Sequence, residues 1–210
     1  MDIDYYSDSI PNFYGGVSPF GNNYKGELIR GLEQLYDIPI SRFKISGYTK
    51  PMYIEYKIFS SSQVSKLEEM AITEIAKMCN FSVRDINDTC IIWKIIVVDS
   101  AKLNPFSWEK DSPNGDFWCN IINDMKDRDF FGQTFTAMAR WFELDSRKHI
   151  FETDSDDTQD EPKRYKFLIP IQVIKDIDLL KPFMLEKYGI DLVPKMSVVK
   201  KKYIEFHKGD

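Results

Sequence analysis

Glu55-Tyr56-Lys57 sets an acid and an amine two residues apart. On a strand, positions i and i+2 share a face, so both side chains point the same way. A carboxylate beside a lysine can hold a divalent cation and assist the water that attacks a phosphodiester. Glu33 and Asp37 lie upstream as further carboxylates. A second acidic concentration is "ETDSDDTQDEP", residues 152 to 162, with Glu152, Asp154, Asp156, Asp157, Asp160 and Glu161 and no base among them. Asp154, Asp156, Thr158 and Asp160 alternate like the first ligands of a calcium loop. Gln159, however, stands where that loop needs glycine, and Tyr165 where it needs a bidentate glutamate. The stretch is therefore expected to be a solvated loop between two strands, with no bound metal.

The triplet's setting, between helices and on a strand pair, resembles the core of metal-dependent nucleases. That resemblance implies a catalytic set of Asp37, Glu55 and Lys57 working on Mg²⁺. Two features depart from it. Asp37 precedes the first strand of the expected hairpin, where the metal-binding aspartate should lie on the strand beside the triplet. The expected hairpin also gives Glu55 a partner in Arg42. Other catalytic signatures are missing: no phosphate-binding G-x-x-x-x-G-K-[ST], no G-x-G-x-x-G, no H-E-x-x-H and no G-x-S-x-G. Two histidines, His149 and His207, are too few for a multi-histidine metal site. Asp99, after the apolar run "IIVV", reads as turn chemistry. No cofactor and no metal are expected.

These residues need elements to position them. Leu28, Ile29, Leu32 and Leu35 fall on one helical face. "ISRFKIS" and "MYIEYKIF" alternate around "GYTKP" and read as a β-hairpin, with Ile45 opposite Met52, Phe43 opposite Ile54 and Arg42 opposite Glu55. "SSSQVSKLEEMAITEIAKMCN" is a helix, with Ser65 and Glu68 as a capping box and Leu67, Met70, Ala71, Ile75 and Met78 on the buried face. "TCIIWKIIVV" is apolar on both faces and is expected centrally in a sheet. Asp116 is read as the cap of a helix carrying Phe117, Ile121, Ile122 and Met125. "GQTFTAMARWFELD" fits either period and is assigned to a strand running into "HIFET". "RYKFLIPIQVI" and "SVVKKKYIEFH" are strands, and "KPFMLEKYG" is a helix with Pro182 near its start and Gly189 after its end. The sum is α+β: a largely antiparallel sheet packed by a few helices.

Residues 1 to 24 contain no leucine and no helical period, and alternate Gly, Pro, Ser and Asn with aromatics. They are expected to be an irregular N-terminal arm that docks through Tyr5, Tyr6, Phe13, Tyr14 and Phe20. Residues 25 to 210 then form a single α+β domain. The loop around "NPFSWEKDSPNGDFW" adds Phe106, Trp108 and Trp118 as anchors of the kind that dominate protein interfaces. Lys200, Lys201 and Lys202 form a small basic patch.

The net charge is −5, and setting aside the six acids of residues 152 to 162 leaves the rest near neutral. A neutral body lacks the broad positive field of nonspecific nucleic-acid binders, so no specific nucleic acid is expected. No apolar run is long enough to span a bilayer, so no membrane is expected either. The first residues show no signal peptide, and Cys79, Cys90 and Cys119 are odd in number and widely spaced. A cytoplasmic protein, or one assembled inside the cell into a particle, is the expectation. The class expected is a non-catalytic protein-binding or assembly component. It could be a phage or virus virion or tail-connector subunit, or an inhibitor or immunity-type binder, whose partner is another protein or copies of itself. The alternative is the nuclease.

Overall fold

The computed structural model describes residues 1–6, 14–18, 21–59, 64–108, 118–124, 126–153 and 163–207. The chain is α+β, and the described residues form three four-stranded sheets that are largely antiparallel. It divides into two compact units, Met1–Asp88 with Lys200–Asp210, and Thr89–Val199. Among the described residues, no helix is long and apolar enough to cross a membrane.

The first unit is built on β1 (Asp2–Tyr6), β2 (Tyr14–Ser18), β3 (Gly21–Glu27) and β5 (Tyr53–Phe59), in the antiparallel order β1-β5-β3-β2. Alternation along β5 buries Ile54, Tyr56 and Ile58 and turns Glu55 and Lys57 to the other face. Helix α1 (Leu28–Tyr36) covers the buried face with Leu28, Ile29, Leu32 and Leu35, as its spacing predicts. Helix α2 (Val64–Met78) adds Ala71 and Ile75 to the same core. Met70 and Met78 were expected in that core but are exposed, because the buried row is Leu67, Ala71, Ile75 and Cys79 at four-residue steps. The helix begins at Val64, so Ser65 lies inside it and is no cap.

Two further expectations fail in this unit. The irregular arm is strand over Asp2–Tyr6, Tyr14–Ser18 and from Gly21 onward, because Tyr suits a pleated surface and the glycines mark close approach. A Cβ on Gly15 would come within 2.9 Å of the Gln34 side-chain oxygen, and one on Gly21 would strike the Ile58 carbonyl. The hairpin is absent too. Strand β4 (Phe43–Ser46) runs parallel to Lys202–Glu205 of β12 (Ile190–Phe206), while β5 pairs with β1 and β3. Alternation fixes which face a side chain takes but leaves the partner strand open, and proximity in sequence chose wrongly.

The second unit holds β7 (Ser107–Trp108), β8 (Trp118–Ile122), β9 (Asp127–Gln133) and β11 (Arg164–Pro170), antiparallel in the order β7-β11-β9-β8. Strand β10 (Ile150–Thr153) lies parallel to Ile92–Ile95 of β6 (Phe81–Val97). Strands β6 and β12 contribute to both units, and the third sheet has the order β10-β6-β12-β4. The apolar run in β6 is thus central, as expected. Helices α3 (Ser100–Leu103), α4 (Phe135–Ser146), α5 (Ile171–Ile174) and α6 (Ile177–Tyr188) pack a core that includes Phe130, Phe142, Phe151, Phe167 and Tyr188.

Here α4 replaces the strand expected over 133 to 144, with Phe135, Met138, Ala139 and Phe142 buried at helical spacing. Residues 118 to 122 are strand and not the expected helix; a turn with positive φ at Asn123 and Asp124 carries them into β9. Asp116 lies outside the described residues. Helix α6 starts five residues before Pro182, capped by the Asp176 side chain on the Asp178 N–H at 3.0 Å. Gly189 ends it with φ 68°, as expected.

Candidate protein-binding surfaces

Glu55 and Lys57 of the E-x-K triplet sit on the outer face of the first unit's sheet. Glu55 is held by Lys25 at 2.9 Å, from the neighbouring strand, and by Lys57 at 3.0 Å. Asp37 is the exposed C-cap of α1, with φ 52°. That helix packs on the opposite sheet face, with Ile54 and Tyr56, so the sheet separates Asp37 from Glu55. Glu33 is buried too, spanning the Ile40 N–H at 2.8 Å and Arg30 at 3.1 Å. The structure therefore does not gather the three residues of the nuclease set. Among the described residues, no group of three or more His, Cys, Asp or Glu could hold a metal ion.

The aromatic candidates divide. Tyr5, Tyr6 and Tyr14 are in strands, opposite Ile54, Tyr53 and Lys25 respectively. Phe13 and Phe20 lie outside the described residues. Phe106 is half-buried in the second core, its ring 4.7 Å from that of Tyr188 and 6.2 Å from that of Phe167. Trp108 is half-buried, edge-on to Phe131 at 5.9 Å. Trp118 pairs through its backbone with Phe131. The acidic stretch begins in β10 with Glu152 and Thr153, and β11 follows it; residues 154 to 162 lie outside the described residues.

Two of the three lysines meet acids of their own unit. Lys201 reaches Asp88 at 3.0 Å, and Lys44 reaches it at 3.6 Å. The hydrogen bond from Lys201, with the charges of both lysines, holds the Asp88 carboxyl below its ordinary range. Lys202 reaches Asp85 at 2.7 Å and lies over the Tyr36 ring. Lys200 is exposed beside Asp85 and Asn87. Asp99 caps α3, accepting from the Lys102 N–H at 3.1 Å.

Several features went unseen in the sequence. Asn22 is buried and donates to Glu68 at 2.8 Å, while its side-chain oxygen accepts from Gln34 and from Tyr56. This network ties β3 and β5 to both helices, and burial pushes the Tyr56 hydroxyl pKa upward. In the second unit Arg128 is forked on Asp145 and lies over the Trp141 ring. Burial raises the Cys119 thiol to about 12 and Cys79 to about 11, which leaves both poor nucleophiles. A groove of about 480 Å³ runs between α2 and β6, lined by Tyr36, Ile72, Ala76, Phe81 and Val83 among others.

An apolar strip stands out in the second unit. The Val98 and Asp99 N–H groups donate to the Gly189 carbonyl at 2.9 and 3.0 Å, where β6 ends and β12 begins. Counting inward from that pair, antiparallel, sets Ile95 against Leu192, both in the core, and Ile91 against Met196, with Val198 next on the same face. Ile91 is 54% exposed, Met196 60% and Val198 65%. The signal for this strip was available as "CII" and "MSVV", but apolar strand residues read as core.

Comparison with known protein families, curated proteins and solved structures returns no match.

Proposed function

We propose that this chain is a non-catalytic protein-binding or assembly component. It would serve as a subunit of a larger particle, such as a phage or virus virion or tail connector, or as an inhibitor-type binder. The observation that carries the reading is the strip of Ile91, Met196 and Val198. Three large apolar side chains aligned on one face of a strand pair are costly in water and are removed from it by an apolar partner surface. The charge arrangement agrees: Glu55 is engaged by two lysines on one sheet face, away from Asp37.

The test is recovery of complexes from the native source with a tagged chain. The wild type is expected to bring down a stoichiometric partner chain or further copies of itself. A Met196→Lys, Val198→Lys double variant is expected to lose that partner with its melting temperature unchanged. Equal recovery by both would remove the strip as the surface. Mg²⁺-dependent nucleic-acid cleavage that disappears in Glu55→Ala would overturn the non-catalytic reading altogether.

A further inference from the structure

We propose that two copies of this chain pair edge to edge along Phe81–Asp88 of β6, antiparallel, about a two-fold axis through Ile86. The inference rests on the protein-binding reading above and adds to the strip a second surface, on other residues, whose occupant is a second copy.

The edge is open. Strand β10 takes β6 only at Ile92–Ile95, and β12 occupies the other side, so among the described residues no strand covers this edge over Phe81–Asp88. Ser82, Arg84, Asp85 and Asn87 are exposed. The direction of the free hydrogen-bonding groups follows from the pairing with β12. The Asn80 carbonyl accepts from the His207 N–H at one end, and the Val98 N–H donates to Gly189 at the other. Even-numbered positions therefore turn their backbone groups toward β12, and Val83, Asp85 and Asn87 turn theirs outward.

Natural edges are blunted by proline and lysine. The outer edge of β12 has both, in Pro194, Lys195 and Lys200, whereas "FSVRDIND" has neither. An edge of eight residues without proline or lysine is a template for another strand, and a second copy offers the same one with its charges, as a two-fold interface requires.

Charge selects the register. A two-fold axis at residue 84 sets Arg84 against Arg84, one at 85 sets Asp85 against Asp85, and one at 88 sets Asp88 against Asp88; each is repulsive. An axis at 87 leaves Ile86 facing Asp88. An axis at Ile86 sets Arg84 against Asp88 twice, once on each side, and brings the outward groups of Asp85 against those of Asn87. Arg84 already lies over the Tyr203 ring, 4.9 Å from its centre, which holds its guanidinium on the same face as the Asp88 cluster.

The test starts from mass in solution. Light scattering across the micromolar range is expected to give twice the chain mass of 24.7 kDa. At the proposed axis Ile86 faces itself as a non-hydrogen-bonded pair, with Cα atoms about 4.5 Å apart, a spacing that a disulfide spans. In a Cys90→Ser background, Ile86→Cys is expected to form a reducible covalent dimer at least about tenfold faster than Asn87→Cys, whose copies sit beyond about 7 Å. Arg84→Glu is expected to raise the dissociation constant about tenfold, because a like charge then faces Asp88 at two symmetric places. Circular dichroism of each variant checks that it folds. A single-chain mass throughout, or equal cross-linking by the two cysteine variants, overturns the proposal. A single-chain mass in a protein that still recovers a different partner sinks the self-pairing and spares the binding reading; one that recovers nothing sinks both.

Discussion

Arg128 is 6% exposed in the second unit, with two of its nitrogens on Asp145 and its face over Trp141. Removing one member of such a pair strands a charge away from water. Asp145→Ala is therefore expected to cost about 3 kcal/mol, near the lower end of the range for broken buried pairs. The double variant Arg128→Met, Asp145→Leu, which leaves no charge behind, should cost clearly less. Urea denaturation measures both, and equal losses would show that packing, not the stranded charge, sets the cost. Nothing in the sequence announced this pair. The two residues lie 17 positions apart on elements whose meeting depends on the whole sheet. Glu55 is the opposite case: alternation along "YIEYKIF" correctly turned it away from Ile54 and Tyr56. Only its partner was wrong, Lys25 in place of Arg42, because the adjoining strand comes from the N-terminal segment.

At the scale of an element, α4 shows where local signals compete. Thr134, Phe135, Thr136, Trp141 and Phe142 favour a pleated strand, yet the apolar positions repeat at helical steps. The deciding residue is Thr134. It is extended, with φ −78° and ψ 164°, and its hydroxyl accepts from the Ala137 N–H at 3.2 Å. Arg147 closes the other end in the left-handed region at φ 59°. Thr134→Ala is expected to destabilise the protein by about 1 kcal/mol, and Thr134→Asn to be nearly neutral. Thermal melts separate the two; an alanine variant as stable as the asparagine one would mean the tertiary packing of Phe135 and Phe142 fixes the helix unaided. The helices that were legible, α1, α2 and α6, are those whose pattern has one period, although the starts of α2 and α6 fall earlier than their cap and proline signals place them. Strand partnership was not legible, since β4 and β5 take their neighbours from the far ends of the chain.

For the whole molecule, the consequence of this order of elements is that the first unit is discontinuous. The chain leaves it after Asp88 and returns at Lys200. The returning segment is part of the core: Ile204 is fully buried, and Phe206 packs its ring 4.9 Å from Tyr48 and 5.1 Å from Phe81. It also supplies the strand that β4 pairs with. Burying two such side chains contributes about 2 to 3 kcal/mol each, against a net stability of about 5 to 15 kcal/mol for an ordinary domain. Residues 1 to 88 alone are therefore expected to be largely unfolded. The two points where the chain leaves and returns are close, since the Asp88 carboxylate is 3.0 Å from the Lys201 amine. An Asn-Gly turn is the shortest connection that closes antiparallel strands. A chain in which Asn-Gly replaces residues 89 to 198, so that Asp88 keeps its partner Val199, is thus expected to melt cooperatively and to protect the backbone amides of β5 from hydrogen exchange. The fragment 1 to 88 without the returning segment should do neither. If it melts as cooperatively as the joined chain, residues 200 to 210 are an appendage, and the first unit is complete without them.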